Sequence, residues 1–159
     1  MTINKVLIAV DNSKHAEHAA RFGLELARTY KAGVGLVSIV EPIIYPASGA
    51  DTMTGIPMES SAIDEGAILK IQTESAENMM HQTIKKFGVG LEVTFFTEYG
   101  LTADSILKCA NEYNADLIVV GTHNRTGLDR FFMGSVAEHV VRHSRVPVLV
   151  VPMKEDIED

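Results

Sequence analysis

Residues 119–136 read VVGTHNRTGLDRFFMGSV, at the end of a mostly apolar run, Asp116–Val120, that stops at Gly121. The run reads as a strand, and the Gly134-Ser135 pair falls where a helix would open. Strand, glycine-containing turn and helix in that order make an anion site. Glycine lets backbone N–H groups come close, and the first turn of a helix offers unpaired donors at the positive end of its dipole. Arg125 and Arg130 would add positive charge. A simpler reading stands beside this one: Gly121 ends a strand and Ser135 caps a helix, with Glu138 at the spacing of a capping box.

Working outward, the same alternation recurs along the chain. Asn4–Val10 (NKVLIAV) is an apolar segment suited to a strand buried on both faces, and it stops at Asp11-Asn12-Ser13, any of which can cap the helix that follows. Ala16, Ala19, Ala20, Gly23, Leu24 and Ala27 give that helix a small-residue face. Val34–Val40 is a second strand, closed by Glu41-Pro42. Glu41 to Ser60 carries three prolines and two glycines without a period, so it reads as a long loop, either a cover for a ligand or a surface excursion. Ile63–Phe87 reads as a helix with Ile68, Ile71, Met79, Thr83 and Phe87 on one stripe. Leu91–Thr97 is a third strand, more polar at its start and therefore placed at an edge. Thr102 is expected to cap a helix through Tyr113, Ser135–His143 forms the last helix, and Val146–Val151 is the fifth strand.

Strands alternating with helices predict an α/β fold: an open parallel sheet, order 3-2-1-4-5, with helices on both faces. Residues 1–152 would form one domain, followed by an acidic tail, 153–159. In such sheets ligands sit at the carboxyl ends of the strands where strand order reverses. That brings Asp11, after strand one, beside Gly121, after strand four.

Three features resemble the universal stress protein family over Ile3 to Pro152: Val-Asp-Asn-Ser after the first strand, the βα alternation, and Gly121-Thr-His-Asn-Arg-Thr-Gly-Leu-Asp-Arg-Phe-Phe-Met-Gly-Ser. ATP-binding members carry a glycine, two residues, a glycine, nine residues, then glycine with Ser or Thr. Gly121, Gly134 and Ser135 match, and the middle glycine is Asn124, which tolerates left-handed backbone geometry but brings a side chain toward the phosphates. The resemblance implies a stress-response regulator or sensor that binds ATP, ADP or AMP with Mg²⁺. It places Asp11 at the ribose or the metal, Ala9 and Val10 beside the nucleotide, and backbone groups of Val40 at adenine. His123, Asn124, Arg125 and Val136 would join Gly121, Gly134 and Ser135 around the phosphates and ribose. The departure at Asn124 leaves a second reading open, a dimeric interaction module that has lost nucleotide.

Composition narrows the rest. A chain of 159 residues with a net charge of −7 can bury a core without a disulfide or cofactor, and it lacks the clustered Lys and Arg of a general nucleic-acid binder. A lone cysteine, Cys109, and no signal sequence or membrane-length apolar run give the expectation of a cytoplasmic protein. His139 and His143 stand at metal-sharing spacing without a third ligand, His15 and His18 likewise, and Cys109 has no paired His in sequence. Met53, Met58, Met79, Met80 and Met133 read as apolar filler. No Walker A or dinucleotide fingerprint follows a strand, and no base and nucleophile are positioned. Binding is the expectation; slow ATP hydrolysis would need only Mg²⁺ near Asp11 and charge from Arg125. The apolar fifth strand, at a sheet edge, predicts a homodimer through Val148–Val151.

Overall fold

The computed structural model describes residues 2–43, 64–122 and 133–153. Within them the order is β1 (Lys5–Ala9), α1 (Lys14–Tyr30), β2 (Gly33–Val40), α2 (Glu65–Phe87), β3 (Val93–Tyr99), α3 (Thr102–Tyr113), β4 (Leu117–Gly121), α4 (Ser135–His143) and β5 (Val148–Val151). The strands form one parallel sheet, β3-β2-β1-β4-β5, as the sequence predicts. Val6, Leu7 and Ile8 of the central strand are wholly buried although neighbouring side chains point to opposite faces. Val6 and Ile8 meet Ala19, Ala20 and Leu24 of α1 and Met80 of α2, whereas Leu7 meets Ile106 and Ala110 of α3 and Val140 of α4.

Small residues set the spacing of these layers. A Cβ on Gly23 would lie 2.8 Å from Ile8 Cδ1 and 3.3 Å from Val119 Cγ1, so a bare glycine lets α1 seat on β1 and β4. Arg28 donates from Nη2 to the Phe87 and Val89 carbonyls, at 3.2 and 3.3 Å, and ties α1 to the chain leaving α2. β3 is the expected edge strand, with Phe95 and Tyr99 exposed.

Several local expectations are corrected. Asp64 caps α2, its Oδ1 accepting from Gly66 and Ala67, and the helix starts at Glu65. Its buried stripe is Ala76, Met80 and Thr83; Ile71 lies on the far side of the helix and is 66 % exposed. The fifth strand begins at Val148, because Ser144 Oγ accepts from the Val146 N–H and donates to the Val146 carbonyl in a turn before Pro147.

Cys109 is 1 % exposed in the α3 layer. Burial, reinforced by Glu98 and Glu112 and opposed by Lys108, pushes its thiol up to about 12. Burial, with Glu92 and Cys109 adding, also raises the Tyr113 phenol. An unfolded cysteine ionises near ~8.5, so above that pH the unfolded chain binds fewer protons than the folded one. This contribution to stability is complete below the unfolded pKa and is lost as pH rises toward the folded value. Urea titrations from about pH 8 to 11 should show stability falling, and Cys109→Ala should flatten the fall. Alkylation of the native thiol at the rate of a free cysteine would contradict this burial.

Candidate functional site

Strand order reverses at β1 and β4, whose register pairs Ile8 with Val119. Continued along both strands, that register sets Val10 beside Gly121 at their carboxyl ends. Val10 is buried and donates its N–H to the Val37 carbonyl at 2.9 Å, Ala9 is half-buried, and Asp11 is exposed at the rim. Asp11 Oδ1 accepts from the Ser13 N–H at 2.8 Å, which fixes the turn, and Ser13 rather than Asp11 caps α1, its Oγ accepting from Ala16 at 3.1 Å. The other carboxylate oxygen of Asp11 has no hydrogen-bond partner among the described residues.

Gly121 faces the first turn of α1. A Cβ there would stand 2.8 Å from the His15 carbonyl oxygen and 3.0 Å from its carbon, both backbone atoms. The glycine is therefore required by packing alone, since a side chain there would meet the α1 backbone.

In a parallel sheet of this kind the helices return antiparallel to the strands, so their N-termini gather at the carboxyl ends of the strands. Three of those starts have a side-chain acceptor: Ser13 on α1, Asp64 on α2 and Glu41 on α3. The last corrects the expectation that Thr102 caps α3. Leu101 holds the cap position without a capping side chain, and Glu41 Oε1 accepts from the Thr102 N–H at 3.3 Å and from the Thr102 hydroxyl. α4 differs. Gly134 is its cap residue and brings no side chain, while Glu138 turns away to Arg142 Nη2 at 2.8 Å, so the capping box of Ser135 and Glu138 does not form. Ser135 and Val136 begin the helix, Ser135 exposed and Val136 half-buried.

At the opposite wall β2 outruns β1. Ala9 pairs with Val37, after which Ser38, Ile39 and Val40 pair only with β3. The Val37 carbonyl points to β1, where Val10 uses it, and the Val40 carbonyl points the other way and accepts from Gly100 at 3.2 Å. Gly100 reaches it at φ +130, a backbone geometry that favours glycine. Strand alternation then turns the N–H and C=O of Ile39 toward the space beyond the end of β1. Ile39 is therefore the residue whose backbone groups face that space; periodicity gives the alternation but not its phase.

His123, Asn124 and Arg125 lie outside the described residues, as do Arg130, Met53, Met58 and positions 44–60 of the predicted loop. His139 Nε2 lies 2.9 Å from Asp104 Oδ1 and ties α4 to the first turn of α3, while His143 Nδ1 lies 2.9 Å from the His139 carbonyl. Among the described residues no group of three His, Cys, Asp or Glu side chains could hold a metal, and no helix is long and apolar enough to cross a membrane.

The chain belongs to the universal stress protein family, whose sequence profile matches residues 2–152. Universal stress protein MJ0531 of Methanocaldococcus jannaschii is 31 % identical over 153 residues, covering 95 % of this chain and 84 % of that protein. Universal stress protein MJ0577 of the same organism is 30 % identical over 155 residues, 94 % of this chain and 95 % of its own. Its solved structure matches with a TM-score of 0.73 at 27 % identity, covering 98 % of this chain and all of the other. A universal stress protein of Archaeoglobus fulgidus, solved in complex with dAMP, shares the fold at TM-score 0.59 and 24 % identity, covering 94 % and 98 % of the two chains.

Gly121→Ala should destabilise the protein without any ligand present, because the new methyl group meets the α1 backbone. A loss of about 1–3 kcal/mol in urea unfolding is the expected size. An unchanged midpoint would show that α1 does not approach β4 this closely.

Proposed function

We propose that this protein binds an adenine nucleotide in the crevice between β1 and β4 and acts as a stress-response sensor or regulator. One observation carries the reading: α4 opens at Gly134 with no side-chain cap among the described residues, at the carboxyl end of the sheet where strand order reverses. In this reading the N–H groups of Ser135 and Val136, with the bare backbone of Gly121 and Gly134, receive the phosphates. His123, Asn124 and Arg125 complete that wall. Asp11, with an oxygen to spare, takes the ribose hydroxyls or a Mg²⁺ carried by the phosphates, since Mg²⁺ needs only one or two protein carboxylates beside phosphate and water. Ala9 and Val10 flank the ribose. A backbone N–H and C=O pair at the end of β2 suits N1 and the 6-amino group of adenine, and Ile39 presents it beside the Val40 position. The A. fulgidus relative, solved with dAMP, supports an adenine nucleotide as the ligand of this fold. The cytoplasm suits such a ligand.

The second reading, a dimeric interaction module without nucleotide, is favoured by Asn124 in place of glycine. Both readings share a homodimer through Val148–Val151. β5 borders only β4, so its outer backbone groups meet no described strand, and Val148, Leu149 and Val150 are each only half-buried. A regulatory protein partner would read the state of the dimer.

Calorimetric titration of nucleotide-stripped protein with Mg-ATP, Mg-ADP and AMP should give saturable binding, weakened at least about tenfold by Gly134→Val, which would crowd the phosphates. Absence of heat from folded protein that also carries no co-purified nucleotide would favour the interaction module. Leu149→Lys should halve the solution mass measured by light scattering while far-ultraviolet dichroism is kept; a mass equal to that of the wild type would remove this interface.

A further inference from the structure

At the other end of the sheet, the C-terminal ends of α3 and α4 and the starts of β4 and β5 border a cavity of about 540 Å³. That is a volume typical of small-molecule sites. Half-buried Leu107 and Val146 give it apolar surface, with Ala110 and Ile118 buried behind them. Two helix C-termini side by side would ordinarily favour a cation there. Here four of those carbonyls already have donors. Ala110 accepts from the Ala115 N–H at 2.9 Å, Asn111 from Asn114 at 3.2 Å, Tyr113 from Lys5 Nζ at 3.1 Å and Val140 from Ser144 at 2.9 Å. The one carboxylate in the lining, Asp116, is likewise engaged: its Oδ2 accepts from the N–H groups of Asn4 and Lys5 at 2.8 and 3.0 Å.

The cations remain. Lys108 is shared between Glu98 at 3.7 Å and Glu112 at 3.8 Å. Arg145 is exposed at the rim and has no carboxylate partner among the described residues, in a chain with seven more negative than positive charges. His143 lines the same wall, its Nδ1 donating to the His139 carbonyl at 2.9 Å. A guanidinium fork matches a carboxylate through two parallel hydrogen bonds.

We propose that this cavity binds a small amphipathic carboxylate, its acid group on Arg145 and its apolar body along Leu107 and Val146. The site is separate from the nucleotide crevice and does not rest on that reading. Asn111 supplies an amide at the edge.

Octanoate is a suitable probe, followed by ¹⁵N-resolved NMR on the full chain. It should saturate one site and shift the amide resonances of Asn111, Ala115 and Val146 while leaving those of Ser135–Ala137 in place. Octylammonium, with the same body and the opposite charge, should bind at least about tenfold more weakly. Arg145→Glu should lose at least about tenfold in affinity for octanoate, and Arg145→Lys, which keeps the charge but not the fork, should fall between that variant and the wild type. Both substitutions are at an exposed position, and a preserved NMR fingerprint confirms that each variant is folded. Non-saturable shifts, equal binding of octylammonium, or octanoate affinity unchanged in Arg145→Glu would overturn the proposal.

Discussion

The burial of β1 on both faces is the constraint from which the rest follows. Val6, Leu7 and Ile8 point to alternate sides of the sheet and all three are removed from water. Each such side chain contributes roughly 1.5–3 kcal/mol when fully buried, so a sheet covered on one face only would leave part of that gain unrealised. Two helical layers are the answer, α1 and α2 on one side, α3 and α4 on the other. Right-handed crossovers then require the chain to build outward from β1 in one direction and later in the other. The reversal between β1 and β4 is thus a product of core packing before it is a ligand site.

The same geometry gathers the helix starts at one end, and the chain treats them unequally. α1, α2 and α3 have their first-turn donors met by Ser13, Asp64 and Glu41. Gly134 leaves α4 without such a group among the described residues. An uncapped start costs a helix about 1 kcal/mol relative to a good cap, and that cost sits at the crevice where an anion would recover it. Gly121 is fixed by the same packing, since the close approach of His15 forbids a side chain there. The bonds from Glu41 to Thr102 and from Asp104 to His139 fasten the first turn of α3 to β2 on one side and to α4 on the other. Both walls of the crevice are therefore held by one turn of helix.

Much of this was legible in the sequence because it depends on local pattern. The apolar runs gave the strands, the polar start of β3 gave its edge position, and together they gave the strand order. Gly134-Ser135 marked the start of α4. What escaped depends on contacts between distant residues. Thr102 looks like a cap by itself, and only the fold brings Glu41, 61 positions earlier, to the role. Ile39 needs the phase of β2 relative to β1, which no single strand encodes. Ile71 is apolar but faces away from the sheet, because the apolar residues of α2 spread around the helix and hydrophobicity alone does not fix which side packs.

The central claim is that the first turn of α4 receives the phosphate of an adenine nucleotide. The most direct test follows the backbone amides of Ser135, Val136 and Ala137 by ¹⁵N-resolved NMR while AMP and then adenosine are added. The account predicts large, saturable shifts at those amides with AMP and much smaller ones with adenosine, which lacks the phosphate, while the Ile39 amide moves with both. Amides at α4 that stay still while AMP saturates elsewhere, or that respond equally to adenosine, would contradict it.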